Sequence, residues 1–374
     1  MNKKVKRIVA GTLAVATVAV LCGCGKSETQ SVSADSAGAV QYSTQPAFVG
    51  NPDETYAFVS WYAGNEWWVG GYEGFKDAAR ELGVKTVCTG ATDDGIDTQI
   101  AALQQEAAKK PAGICLAVSD GSAFGNTVQE IIDSGIPVTT TDNQIPDADT
   151  LMFMGYNDKG MTKLVSDHIG IATNGQGKMA MLEVVGQKNL EERAAAFKDN
   201  LAKDYPGVQI VATANSGQDE NKAASDASSI LAKYPDLDFI YTLNATEAMG
   251  AVTAVKEAGS SCRVITMDVN ENVLDYIKDG KIDAAVMPDS YTFGYVSMLA
   301  LYCEAHNLMD PMWKGSEGKT NWCVPSLEVG STLVTKDNAD KFYTSKYYES
   351  RDSKGFDEGA EDMKKEDLPG YWKR

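Results

Sequence analysis

Asp142, Arg193, Asn244 and Asp268 share a setting: each stands at or shortly after the end of a brief apolar run, in "IPVTTTD", "LEERAAAF", "YTLNATEAMGA" and "VITMD". Carboxylate, amide and guanidinium groups donate and accept hydrogen bonds in fixed planes, so a set of them can read the hydroxyl pattern of a small polyol. The segment "WYAGNEWWVGG" adds Trp61, Tyr62, Trp67 and Trp68. An indole face is flat and apolar with a negative quadrupole, which suits the C–H face of a sugar ring. Plainer roles compete at the same positions. Asn244 before "ATEAMGAV" and Asp268 before "VNENVLDY" would both serve as helix N-caps. Trp67 and Trp68 are adjacent, and adjacent helical positions point about 100° apart, so one of the two is free to pack inward.

The elements that must position these groups recur along the chain. Strands are predicted at "YAFVS", "KTVCTG", "AGICLAV" and "IPVTTTD", separated by helices around 70–82, 95–109 and 122–134. Near "YNDKG" the pattern restarts with strands "KMAMLEV", "VQIVATA", "DFIYTL", "RVITMD" and "IDAAVM". Helices near 189–204, 219–233, 245–258 and 271–279 separate those strands, and one more is expected around 291–308. Strand–helix alternation at this pitch implies parallel sheets with right-handed crossovers, and two series imply two doubly wound α/β lobes. Ligands of such sheets sit outside the carboxyl ends of the strands. The residues there are Trp61 to Trp68, with Asn65 among them; Ser119 and Asp120; Asp142 and Asn143; Gly186 to Arg193; Asn215 to Asp219, with Gln218; Asn244; Asp268; and Asp289.

The N-terminus calls for different treatment. "MNKKVKR" followed by "IVAGTLAVATVAVLCG" reads as an export signal, too short to span a membrane comfortably. "LCGC" resembles a lipobox, which makes Cys24 the lipidated first residue of a mature protein held outside the cytoplasm on the cell membrane. Residues 24–54 read as a flexible Ser/Ala/Thr/Gln tether. Loss of Lys3, Lys4, Lys6 and Arg7 takes the net charge from −18 to −22. So acidic a body, without a basic stripe, disfavours nucleic acid and anionic lipid. Cys88, Cys115, Cys262, Cys303 and Cys323 are irregularly spaced and read as buried thiols, with Cys88–Cys115 or Cys303–Cys323 as unforced pairings. His168 and His306 are far apart and form no metal-site spacing. "GSEGKT" has Trp313 where a phosphate loop needs its first glycine, and "DVNENV" has Val273 where a calcium loop needs one. No cofactor, metal site or enzymatic motif is expected.

From Thr55 to Lys336 the chain resembles class I periplasmic binding proteins, the ribose/galactose-type sugar-binding group of ABC importers. "NEWW" stands where that group has an Asn and two aromatics that stack on sugar. "IPVTTTDN", "LEERAAAF", "YTLNATEAMGA" and "VITMDVNENV" carry Asp142, Arg193, Asn244 and Asp268 at ligand-contact positions. "KIDAAVMPDSYTFG" matches the last hinge-side segment, with Asp289 beside Pro288, where the group has Gln. Asn143 replaces a common Arg, Ala117 an Asn, and Gln218 an aromatic, so the specificity positions are not those of a ribose binder. The resemblance implies an N-terminal lobe of 55–156 plus 289–325 and a C-terminal lobe of 157–288 plus 326–345, with residues 346–374 as a tail. The chain would cross between lobes near Gly155–Asn157, Met287–Asp289 and Val324–Leu327. A monomer is expected that captures a sugar or sugar-like solute between the lobes, closes, and docks on an ABC transporter permease. Presentation of a cyclitol, nucleoside or autoinducer to a membrane receptor is the alternative.

Overall fold

The computed structural model describes residues 48–64, 66–93, 95–308 and 326–343, so Cys24, Asn65, Cys323 and the tail from 346 lie outside the described residues. The strand β1 (Thr55–Ser60) shows how alternation builds a lobe. Tyr56 and Phe58 enter one apolar layer with Trp68, Phe75 and Leu301; Ala57 and Val59 enter the opposite layer with Leu103, Leu116 and Val128. Successive strand residues face opposite sides of a sheet. A strand covered by helices on both faces therefore reads as an unbroken apolar run.

The first lobe continues with α1 (Val69–Leu82), β2 (Lys85–Gly90), α2 (Ile96–Ala107), β3 (Gly113–Ala117), α3 (Gly125–Asp133), β4 (Val138–Thr141) and β5 (Met152–Tyr156). The second is built from α4 (Asp158–Ala172), β6 (Gly177–Glu183), α5 (Lys188–Asp204), β7 (Val208–Asn215), α6 (Glu220–Lys233), β8 (Phe239–Thr242), α7 (Ala245–Glu257), β9 (Arg263–Met267), α8 (Glu271–Lys278) and β10 (Ala284–Pro288). The helix α9 (Ser290–Ala305) returns to the first lobe, placing Phe293, Met298 and Leu301 in the apolar layer that holds Phe58. Two short strands, β11 (Ser326–Val329) and β12 (Ser331–Val334), finish one sheet each.

The sheet orders are β2-β1-β3-β4-β5-β11 and β7-β6-β8-β9-β10-β12. Among the described residues every ladder is parallel except β10 with β12. In both sheets the direction of winding reverses beside the first strand, between β1 and β3 and between β6 and β8. Those switch points open a crevice at the strands' carboxyl ends. The second lobe repeats the alternation of the first: Ala180 and Leu182 pack with Ile240 and Val264, while Met179 and Met181 pack with Phe197 and Phe239.

The chain passes between lobes at Asn157, Asp289 and Gly330. The third passage corrects the expected one at Val324–Leu327. Residues 326–329 pair in parallel with Phe153–Tyr156, and Leu327 and Val329 pack into the first lobe's core. The crossing is thus delayed to Gly330, after which β12 runs back along β10. Two of the three passages are pinned by helix caps. The Asn157 Oδ1 accepts from the Gly160 N–H at 2.7 Å and its Nδ2 donates to Glu328 Oε2 at 2.7 Å. Asp289 accepts from the Thr292 N–H at 3.2 Å and from the Thr292 hydroxyl at 2.7 Å.

Cys88, Cys115, Cys262 and Cys303 are free thiols. Cys88 and Cys115 flank Phe58 on opposite neighbouring strands. They are two strand spacings apart, about 9–10 Å, beyond disulfide reach. His168 and His306 each face a carboxylate, Asp283 at 2.6 Å and Glu54 at 2.8 Å. Among the described residues no helix is long and apolar enough to cross a membrane, and no side-chain cluster could hold a metal ion.

Candidate functional site

At the switch points the two lobes enclose a cavity of about 190 Å³. From the first lobe come Trp61, which follows β1; Trp67, in the short helical turn before α1; Asp142, which follows β4; and Tyr156, the last residue of β5. From the second come Gln187, Asn189 and Arg193 at the start of α5, Gln218 before α6, Asn244 at the start of α7, and Asp268 and Asn270 between β9 and α8.

The aromatic segment divides by orientation. Trp61 and Trp67 are half-buried at the cavity, but Trp68 is only 1% exposed and belongs to the core, a correction to its reading as a ligand contact. Trp68 lies 6.1 Å from the Phe58 ring and edge-on to Trp61 at 6.4 Å, so it supports from below the indole that faces the cavity. The angular offset of adjacent residues on a helical turn separates the two roles.

Arg193 is the pivot. It sits on the inward face of α5, in register with Leu190, Ala194, Phe197 and Leu201, and is 3% exposed. Nε donates to Asp158 Oδ1 at 3.1 Å and Nη1 to the Leu243 carbonyl at 3.3 Å. The guanidinium also lies 5.1 Å from the Tyr156 ring centroid. Two of its five N–H donors are thereby used, and the residue lines the cavity. Burial alone would lower its pKa, yet Tyr156, Asp158 and Asp268 hold the guanidinium firmly protonated.

The two cavity carboxylates differ in their bonding. Asp142 Oδ1 accepts from the Tyr156 hydroxyl at 2.9 Å, and the Trp61 side chain also donates to this carboxylate. Its pKa is raised, because burial outweighs those bonds and the attraction of Arg193. Burial lifts Asp268 to about 6, against the pull of Arg193 and with a push from Asp142. The cap of α8 is Asn270, which accepts from the Val273 N–H at 2.9 Å, so Asp268 is not engaged at a helix end. Asn244 fills both roles considered for it: its Oδ1 accepts from the Glu247 N–H at 3.2 Å while the residue lines the cavity.

Backbone strain marks the same places. Six non-glycine residues among those described have positive φ. Lys110, Asn174 and Asn307 follow helix ends, where a left-handed residue is an ordinary terminator. Asp142 (φ 70°), Gln218 (φ 61°) and Asp268 (φ 66°) follow strands, and all three line the cavity. A left-handed non-glycine residue costs on the order of 1–3 kcal/mol and persists where its surroundings over-determine it.

Glu247, which the sequence did not mark out, stands behind this wall. It is fully buried, and its Oε2 accepts from the Leu243 N–H at 3.3 Å and the Asn244 Nδ2 at 3.4 Å. Burial raises it to about 7, against bonds from the Leu243 and Gln218 backbone and with a push from Glu183 and Asp226. Its carboxyl thus holds the backbone and amide groups that present Gln218 and Asn244.

Two further expectations are placed elsewhere. Asp289 does not line the cavity; its carboxylate caps α9, because the first N–H groups of a helix lack internal partners. Asn143 borders a second, outer hollow, where its Nδ2 donates to the Val118 and Ser119 carbonyls at 3.0 and 3.3 Å. Tyr156 and Asp158 were missed because they lie at a lobe crossing rather than after a predicted strand.

Residues 56–305 match the sequence profile of the periplasmic binding protein domain. Over 201 residues the chain is 28% identical to a D-ribose/D-allose-binding protein of Pseudomonas aeruginosa, a match taking in 50% of this chain and 62% of that relative, under two thirds of its length. It is 24% identical over 223 residues to a ribose import binding protein of Bacillus subtilis, covering 59% of this chain and 72% of that one. An arabinose binding protein from Geobacillus stearothermophilus has a similar solved structure. Its TM-score is 0.73 at 30% identity, and the match covers 78% of this chain and 100% of that one.

Proposed function

Because the chain belongs to the periplasmic binding protein domain family, we propose that it captures a sugar outside the cytoplasm and delivers it to an ABC transporter permease. One observation carries this reading: a single cavity faces indole surfaces and Asp142 from one lobe toward Arg193, Asn244 and Asp268 from the other. The ring's C–H face packs on Trp61 and Trp67. Its hydroxyls donate to Asp142 and Asp268 and accept from Arg193 and Asn244, which makes the bonds charge-assisted. The relatives named for ribose, allose and arabinose support a sugar rather than another polyol.

Capture and release follow from the three short passages at Asn157, Asp289 and Gly330, where a few residues absorb hinge motion. A guest touching both lobes favours the closed state by its differential contacts alone. Closure then presents one joined surface to the permease. A lipid on Cys24 keeps the protein at the membrane and raises its effective concentration near the transporter.

Thermal shift and calorimetry against a saccharide panel test the reading. A true ligand at 100 times its Kd stabilises by about 2.7 kcal/mol, several degrees of melting temperature. Arg193→Ala is expected to abolish that shift while the protein remains folded. Silence across the whole panel, or normal binding by Arg193→Ala, removes the assignment. Cys24→Ser is expected to block labelled fatty-acid incorporation; unchanged labelling would refute the anchor.

A further inference from the structure

The cavity described above does not end at Asp142. That residue, with Tyr156, Gln187 and Asn189, also forms a wall of a second hollow of about 610 Å³. Ligand pockets usually enclose about 300–1,000 Å³. The inner cavity, at about 190 Å³, falls below that range and suits one compact ring; the two hollows together fall within it.

The outer hollow repeats the chemistry of the inner one. Phe153 and Pro146 offer apolar surface, and Asp120 and Asn143 face it from the first lobe and Lys188 from the second. Hydrogen bonds to the Val118 and Ser119 carbonyls fix the Asn143 amide plane, leaving its Oδ1 as an acceptor. The Ser122 N–H and hydroxyl both donate to Asp120 Oδ1, at 2.9 and 2.7 Å, which orients that carboxylate. The Asp120 pKa is lowered, first by those bonds and then by the field of Lys188 in the other lobe. The Gln218 Nε2 donates to Gln187 Oε1 at 2.7 Å, tying the lining of the inner cavity to that of the outer.

From the shared wall and the repeated lining we infer that the solute has two units: a disaccharide or glycoside whose first ring fills the inner cavity and whose second unit lies in the outer hollow. This deepens the sugar assignment above and rests on it. The second unit stacks on Phe153, donates hydroxyls to Asp120 and Asn143, and accepts from Lys188. Because Lys188 and Asp120 come from opposite lobes, the second unit strengthens closure as well as affinity.

The test is calorimetry with galactose, glucose, xylose and arabinose beside lactose, melibiose, cellobiose, xylobiose and arabinobiose. At least one disaccharide is expected to bind tenfold or more tightly than its own monosaccharides. Ser122→Trp, at an exposed position on the outer rim, is expected to weaken that disaccharide at least tenfold while changing monosaccharide affinity by less than twofold. Lys188→Ala, also exposed, gives a second readout, with a loss of threefold or more for the disaccharide alone. Monosaccharides that bind as tightly as every disaccharide overturn the inference, leaving the outer hollow a solvent mouth. So does a disaccharide affinity unmoved by both substitutions. No binding by any saccharide rejects instead the sugar assignment on which this rests.

Discussion

The two lobes share one strand order and one way of filling their cores, yet they equip the cavity differently. The first contributes flat apolar faces and a carboxylate already bonded to its own neighbours, since Asp142 is held by Tyr156 and Trp61. The second contributes amides, the buried guanidinium and Asp268, whose carboxylate is set by charge and burial rather than by bonds within its lobe. A common scaffold thus leaves the strand-end loops free to specialise. One lobe supplies a platform and the other reads hydroxyls.

The largest effect expected from breaking this contrast is in the platform. Trp68→Ala removes a fully buried indole and should destabilise the protein by about 3–5 kcal/mol, with affinity lost through unfolding and through the Trp61 indole it supports. Trp67→Ala should leave the melting temperature within a degree or two, lower affinity severalfold and remove much of the ligand-induced fluorescence change. Denaturant melts and fluorescence titrations separate the pair, and equal stability losses would dissolve the distinction.

The carboxylates sharpen it further. Asp142→Ala leaves the Tyr156 hydroxyl and Trp61 N–H without their acceptor, at about 1–3 kcal/mol for a buried group, so apo stability and affinity should both fall. Asp268→Asn removes a charge that burial disfavours. Its apo melting temperature at pH 8 should stay or rise while affinity drops tenfold or more. A parallel fall in apo stability for both variants would show that the lobes hold their acids alike.

Acidity gives a smaller test. Asp268 and Glu247 are raised to about 6 and about 7, above their ordinary values near 4. In that range the folded state holds protons that the unfolded state has released. Their stability contribution is therefore complete below about pH 4 and is lost as pH rises through 6 and 7. For Glu247 this amounts to on the order of 3 kcal/mol. Glu247→Gln should accordingly flatten the decline in apo stability between pH 5 and pH 8. Binding has the opposite slope, because a guest hydroxyl donates to ionised Asp268. Affinity should fall by up to tenfold per pH unit below about 6, with proton release visible in calorimetry across buffers of different ionisation heat.

The smallest effect concerns the hinge. Asp289→Ala should lower stability by about 1 kcal/mol, as for a lost N-cap, and leave affinity unchanged. A loss of binding larger than the loss of stability would return Asp289 to the cavity.

Much of this was legible in the chain. The strand-end positions of Asp142, Asn244 and Asp268 followed from alternation and topology. Arg193 could also have been found as a guanidinium within the apolar stripe of Leu190, Ala194, Phe197 and Leu201. The junction at Asn157 was legible as the point where the pattern restarts, but the two elements that flank it, β5 and α4, were not. β5 reads "MFMGY", with a glycine and no β-branched residue, and α4 carries Gly160 and Gly170 among Thr, Val and Ile, which are weak helix formers. Tyr156, at the end of β5, was lost with them.

By itself the sequence determined the two restarted α/β halves and which polar groups end up at strand termini. These depend on periodicity and on residue type, both local quantities. Only the tertiary structure decided which indole faces the cavity, that Asp289 caps a helix, that β11 stays with the first lobe, and that Glu247 backs the amides. Each of those depends on which groups from distant segments compete for the same burial or the same hydrogen bond, and that competition exists only once the lobes are packed.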